Sequence, residues 1–165
     1  MTRTRNFDSL EDYKRFLEKE KKCSTEIGRG GEGICYLSDS DNQVYKLITK
    51  YQLKYDIDKI ITTSNTDVSQ YIFPNELYAV DDQMVGYRTR YIEERNLFDI
   101  KTIDISLFKD DSYFDIESFL TAYYEILKDT NKLATEGIAI HDLVLANLLF
   151  VGRHFYGIDT IGCDF

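Results

Sequence analysis

Cysteine is scarce in this chain: Cys23, Cys35 and Cys163 are the only thiols in 165 residues. Their number is odd, with no CxxC pair and no pairing with histidine, so neither a disulfide framework nor a thiolate metal cluster is expected. Such usage suits a reducing compartment. Long apolar stretches are missing too. No uninterrupted run approaches the roughly 18 residues of a membrane helix, and the opening MTRTRNFDSL has no apolar signal core. The expectation is a cytoplasmic protein, or one exported by a route without a Sec signal, with no membrane partner. Positive charge is in deficit, with 20 Lys and Arg against 29 Asp and Glu and a net charge of −9. That balance argues against nucleic acid or an anionic membrane as the main partner. The acidity is spread along the chain, as on a solvated surface. Proline occurs once.

Apolar and aromatic residues are plentiful. At 43% hydrophobic, with 13 Tyr and 10 Phe, the chain is not a disordered one and can bury the core of one domain, or of one with a small partner. It divides into three parts. Residues 1–23 are expected to form an N-terminal helical extension. Within it, SLEDYKRFLEKEKK places Ser9 as a helix cap with Asp12 three residues on, and aligns Leu10, Tyr13, Phe16 and Leu17 on one stripe. That stripe packs on a neighbouring lobe or binds a partner.

Residues 24–92 carry strand signals. STEIGRGGEGICYLSD is a β-turn-β pattern, QVYKLIT alternates, and ELYAV and MVGYRTRYI flank the tight turn Asp81-Asp82-Gln83. KYQLKYDIDKIITTS reads as a helix with Leu53, Ile57, Ile60 and Ile61 on one side, giving the order β-β-β-α-β-β. From residue 93 to 165 the pattern turns helical. FDIESFLTAYYEILKDTNKLATEG repeats apolar residues near helical spacing and ends at Gly137, a C-cap candidate, before the short strands LLFV and HFYGID.

Four polar features carry chemistry. Gly28, Gly30 and Gly33 spell G-x-G-x-x-G, but the strand ICYL follows where a dinucleotide-binding fold needs a helix. A glycine-rich hairpin can instead lie over a nucleotide's phosphates and donate backbone N–H groups; the plainer alternative is a hairpin with a flexible tip. Lys46 sits mid-strand on the face of Val44 and Ile48, where burial calls for an anionic partner; on an edge strand it would reach solvent. In IHDLVLANLLF, Asp142 and Asn147 stand five residues apart, too wide for one helical face but suited to a loop that turns both toward a common centre. Both are also ordinary loop residues. Asp159 ends an apolar strand, a common magnesium position and equally a turn or cap position.

The order of these features resembles that of the protein-kinase family, bacterial Ser/Thr kinase-like proteins included. EIGRGGEGICYL looks like the glycine-rich loop and VYKLI like the third-strand lysine segment. FPNELYAVDDQMVGYRTRYI is similar to strands four and five with the hinge, HDLVLANLLF to the catalytic loop, and GIDT to the metal-binding segment. The resemblance runs from about residue 24 to the end. It implies an α+β, protein-kinase-like fold with a five-stranded antiparallel N-lobe at 24–92 and a short, incomplete helical C-lobe at 93–165. It also implies ATP and Mg2+ as cofactors.

Residue by residue, the resemblance gives Lys46 to the α- and β-phosphates and the loop of Gly28, Gly30, Gly31 and Gly33 to cover them. Asp142 would orient or deprotonate the attacking hydroxyl, while Asn147 and Asp159 hold the metal; Asp142, Lys46 and Asn147 form the catalytic set. The adenine would lie between Ile27, Cys35 and Val44 on one side and Leu149 and Ile158 on the other. Backbone groups of Arg90, Tyr91 and Ile92 would take its hydrogen bonds, with Thr89 near the gatekeeper position.

The pattern departs from the family in places. No glutamate occurs between residues 33 and 75 to pair with Lys46, which leaves Asp56 or Asp58 as substitutes. Ile140-His141-Asp142 lacks the arginine of His-Arg-Asp, and Thr160 replaces the phenylalanine of Asp-Phe-Gly. The chain ends six residues past Asp159, so a minimal or C-terminally truncated member is expected. The 114–136 helix would then expose an apolar face suited to an interface, self-association included. Three functions fit: an ATP/Mg2+ phosphotransferase acting on a protein Ser/Thr hydroxyl; a pseudokinase-like nucleotide-binding or protein-interaction module without turnover; or a small-molecule kinase. Its partner would be a protein substrate or a regulatory protein.

Overall fold

Alternating apolar residues between short turns build the main sheet. The computed structural model describes residues 1–49, 55–92, 116–140, 147–151, 153–161 and 163–164. Six strands form this sheet: β1 (Arg3–Phe7), β2 (Ser24–Arg29), β3 (Gly33–Ser38), β4 (Gln43–Ile48), β5 (Glu76–Val80) and β6 (Gln83–Arg90). Their order is β1-β5-β6-β4-β3-β2. Neighbours from β2 through β5 pair antiparallel, whereas β1 runs parallel to β5, with Arg3 opposite Glu76 and Phe7 opposite Val80. The β5–β6 turn uses two left-handed residues, Asp81 (φ 49) and Asp82 (φ 58), the twist-matched geometry of tight hairpins.

The sheet is therefore six-stranded and mixed, and the expected five-stranded antiparallel lobe is wrong. The first residues of the chain return beside β5 and occupy its outer edge. Arg3 and Arg5 blunt that edge with charge, which also hides the strand from an apolar-alternation reading.

Between β1 and β2, α1 (Leu10–Lys21) packs on the sheet. Ser9 caps it as the sequence implies, its Oγ accepting from the Asp12 N–H at 3.1 Å. Tyr13 and Leu17 are buried against Tyr45, Leu47, Tyr78, Val80 and Val85, with Phe7, Phe16 and Tyr36 at the margin. The helix approaches closely because residue 86 is glycine. A Cβ there would lie 2.4 Å from the Tyr13 hydroxyl, which donates to the Val85 carbonyl at 3.0 Å. α2 (Ile57–Ser64) follows β4 and buries Ile60 and Thr63.

These elements make one packed unit, residues 1–65 and 74–91; residues 66–73 and those from 92 on make a second. The second unit contains α3 (Ile116–Thr135), β7 (Ala139–Ile140), β8 (Leu148–Val151), β9 (His154–Gly157) and β10 (Cys163–Asp164). β8 and β9 form an antiparallel hairpin, and β10 pairs with β7. α3 ends where the sequence suggests. Gly137 takes φ +79, its N–H reaches the Ala134 carbonyl at 3.1 Å, and Ile138 N–H reaches that of Leu133 at 2.9 Å, a Schellman ending. The core joins Ala122, Ile126 and Leu133 to Tyr71, Ile138, Phe150 and Phe155. Among the described residues no helix is long and apolar enough to cross a membrane.

Candidate functional site

The first unit gathers several of the predicted nucleotide-facing residues on one side of the sheet. In register, Gly28 lies opposite Cys35, Cys35 opposite Lys46, and Lys46 opposite Tyr87; two residues along, Val44 lies opposite Thr89. Directly paired residues share a face, so Gly28, Cys35, Val44, Lys46 and Thr89 form a single surface. It is the face opposite Tyr45 and Leu47, which pack against α1. Cys35, Val44 and Thr89 are half-buried, and Ile27 at the β2 irregularity is exposed. Lys46 is only 8% exposed, with its Nζ 5.8 Å from the centroid of the Tyr87 ring.

The glycines of the β2–β3 bend fall into two kinds. Gly33 is required by packing, because a Cβ there would sit 2.1 Å from the Leu47 carbonyl oxygen. Gly28 and Gly30 are not, since a Cβ on either would meet nothing within 4 Å, and neither takes a positive φ. The bend is closed by Gly30 N–H on the Gly33 carbonyl at 2.9 Å, with Gly31 exposed at its tip. At the far end of the face, Tyr91 N–H is committed to the Asn42 carbonyl at 3.1 Å and is not a donor for an adenine. Arg90 closes β6, and Ile92 falls in the second unit. Of the proposed carboxylate partners for Lys46, Asp56 caps α2 through a 3.0 Å bond from Lys59 N–H, and Asp56 and Asp58 are both exposed.

In the second unit the predicted metal residues are brought together. Asn147 immediately precedes β8 and Asp159 lies two residues past β9, and Ile158 N–H donates to the Asn147 carbonyl at 2.8 Å. Leu148, Phe150 and Phe155 face the α3 core, so Asn147, Leu149 and Ile158 share the opposite side of the hairpin. Leu149 is buried there, while Asn147, Ile158 and Asp159 are half-buried. Asp159 has φ 56, a left-handed conformation that is uncommon outside glycine, asparagine and aspartate. The next residue anchors it: buried Thr160 donates from Oγ1 to the Ile72 carbonyl at 3.0 Å. The donor set is an amide and a carboxylate, hard oxygen ligands of the kind magnesium prefers, and two such groups suit a metal completed by phosphate oxygens and water. Among the described residues no three His, Cys, Asp or Glu side chains assemble as a metal group.

A segment distant in sequence supports this hairpin. Residues 70–72 run parallel beside β9, with Gly157 N–H on the Gln70 carbonyl at 2.7 Å and Ile72 N–H on the Gly157 carbonyl at 2.8 Å. Tyr71 lies over Gly157, where a Cβ would come 2.6 Å from its ring. Tyr71 hydroxyl pairs with Thr130 Oγ1 at 2.7 Å, and Asp129 accepts from the N–H groups of Ser69 and Gln70 at 2.7 and 2.8 Å. The glycine within HFYGID was the available signal, because glycine inside a strand often marks close approach of another segment. Asp142 and His141 lie outside the described residues, as does Leu53. No protein-family model matches the chain, and no curated protein matches it either.

Proposed function

We propose that the chain is an ATP- and Mg2+-dependent phosphotransferase of protein-kinase type, acting on a protein Ser/Thr hydroxyl. The observation that carries the reading is the pairing of Asn147 with the Ile158–Asp159 step, which brings an amide residue and a left-handed aspartate to one end of the β8–β9 hairpin. In the first unit, Lys46 shares a face with the half-buried Cys35, Val44 and Thr89, beside glycines that the packing does not require. A surface with glycine at 28 and 30 lets backbone N–H groups approach phosphate oxygens closely, and Lys46 supplies the cation for them. Asn147 and Asp159 hold the metal, and Asp142 serves the acceptor hydroxyl. Catalysis of this kind is mostly positioning and electrostatic stabilisation.

A second reading is a nucleotide-binding module without turnover. It is favoured by the use of Asp56 as the α2 cap, which removes one of the two carboxylates available in that region to position Lys46. Transfer of labelled γ-phosphate from ATP, to the chain itself or to a generic protein acceptor, separates the two. Turnover by the wild type, lost in Lys46→Met and Asp142→Asn, supports the transferase. Thermal stabilisation by ATP-Mg2+ without any transfer supports the module. No stabilisation at millimolar ATP removes both.

A further inference from the structure

The geometry points to a second copy of this chain as the occupant of the outer face of α3, in an antiparallel two-fold pairing. Ala122, Ile126 and Leu133 turn inward to the core of the second unit. Ile116, Leu120, Tyr123, Tyr124 and Leu127 stay outside, between 46% (Leu127) and 64% (Tyr124) exposed. They recur at helical spacing and make one apolar stripe about three turns long. Scattered exposed apolar residues need no explanation, but a continuous stripe on one helix does.

The stripe is matched to itself. Two α3 helices laid antiparallel, with the two-fold axis beside position 122, bring Leu120 against Tyr124 of the second copy and Ile116 against its Leu127. Along one flank Glu117 then meets Lys128 of the second copy, and the symmetry repeats the pair. In antiparallel helix pairs the same flank faces itself, so these two residues, of opposite sign and both exposed, are complementary only in this orientation. A parallel two-fold pairing would turn this flank toward the opposite flank of the second copy and separate the pair. Lys128 also reaches Glu125 within its own helix at 3.6 Å, a surface contact that leaves its side chain 64% exposed. The net charge of −9 on each chain opposes non-specific self-association, so the contact depends on this local match. One helix face buries less than roughly 1,200 Å2 in total, which makes the dimer a reversible, concentration-dependent one.

Sedimentation equilibrium of the full chain from low to high micromolar concentration tests this. A monomer–dimer equilibrium is expected, weakened by about tenfold or more in Leu120→Glu and in Tyr124→Glu. Glu117→Lys and Lys128→Glu should each weaken it severalfold, and the double exchange Glu117→Lys/Lys128→Glu should restore it, because the pair is only inverted. Circular dichroism of each variant checks that α3 keeps its helix content, including in Lys128→Glu, which places like charges at 125 and 128. A chain that remains monomeric throughout overturns the proposal. So does a dimer indifferent to the stripe, or one that the double exchange fails to restore.

Discussion

The N–H of Ile158 donates to the carbonyl of Asn147 at 2.8 Å, and that bond fixes how far Asn147 stands from Asp159. Twelve residues apart in sequence, the two become near neighbours because β8 and β9 form a hairpin whose ends coincide. The left-handed turn at Asp159 then redirects the chain toward the buried Thr160 anchor.

Asp159 separates conformation from charge. Asparagine tolerates the left-handed region nearly as well as aspartate, so Asp159→Asn should leave thermal stability within about 0.5 kcal/mol of wild type. Alanine loses that tolerance, and Asp159→Ala should cost about 1 kcal/mol or more. With ATP, added magnesium should raise the wild-type melting temperature, by as much as about 2.7 kcal/mol of stabilisation at 100 times Kd, and the increment should vanish in Asp159→Asn. Calorimetry with and without magnesium reads both effects. An unchanged magnesium increment in Asp159→Asn would remove this residue from the proposed metal site.

Gly157 should tolerate no side chain. A methyl group at 157 would press into the Tyr71 ring at 2.6 Å, and Tyr71 is itself held by Thr130 and only 4% exposed. Gly157→Ala is expected to cost about 1–3 kcal/mol by overpacking. If the clash is the cause, the two changes are non-additive: Tyr71→Ala in the Gly157→Ala background should cost less than in the wild type. Urea denaturation of the four proteins of this cycle gives the coupling; purely additive losses would place the strain elsewhere.

Local chemistry was legible where the period was strong. Ser9 with Asp12 announced the start of α1, and Gly137 announced the end of α3. The alternation in QVYKLIT put Lys46 on its observed face. What failed was non-local. Arg3, Thr4 and Arg5 carry no apolar alternation, and they form a strand only because β5 offers an edge and Glu76 a counter-charge. The role of residues 70–72 was equally hidden, since their pairing partner lies more than 80 residues away at Gly157. Lys46, Asn147 and Asp159 are singled out by their order along the chain alone, as candidates. The capping use of Asp56 and the commitment of Tyr91 N–H emerged only from the folded backbone.

Glu76 should act as the clasp for β1. Its carboxylate is almost fully buried, with Arg3 at 3.1 Å, Arg5 at 3.8 Å, Arg88 at 3.9 Å and the Tyr78 hydroxyl at 3.3 Å. Arg3 and Arg5 remain largely solvated, so Glu76→Gln does not strand them, and a loss of about 1–3 kcal/mol is expected. Arg3→Ala, at an exposed guanidinium, should change stability by about 0.5 kcal/mol or less. Hydrogen exchange at residues 3–7 should accelerate in Glu76→Gln well before the rest of the sheet. Uniform acceleration across the sheet would mean that β1 has no separate opening.

Two tyrosines give the first unit an alkaline limit. Burial pushes the Tyr45 phenol up to about 12, against the opposing pull of Arg88, and burial together with the Glu76 carboxylate pushes Tyr78 higher still. The two rings stack at 6.4 Å in the α1-covered core, where either phenolate would be poorly solvated. An unfolded tyrosine ionises near pH ~10, so above that point the folded chain holds protons that the unfolded chain releases. Stability is therefore fully present below pH ~10 and falls as the pH rises toward the folded-state values. The last tyrosinate absorbance should develop together with the loss of far-ultraviolet ellipticity, and Tyr45→Phe should move that joint transition to higher pH. Complete ionisation with ellipticity intact would show that neither phenol limits the fold.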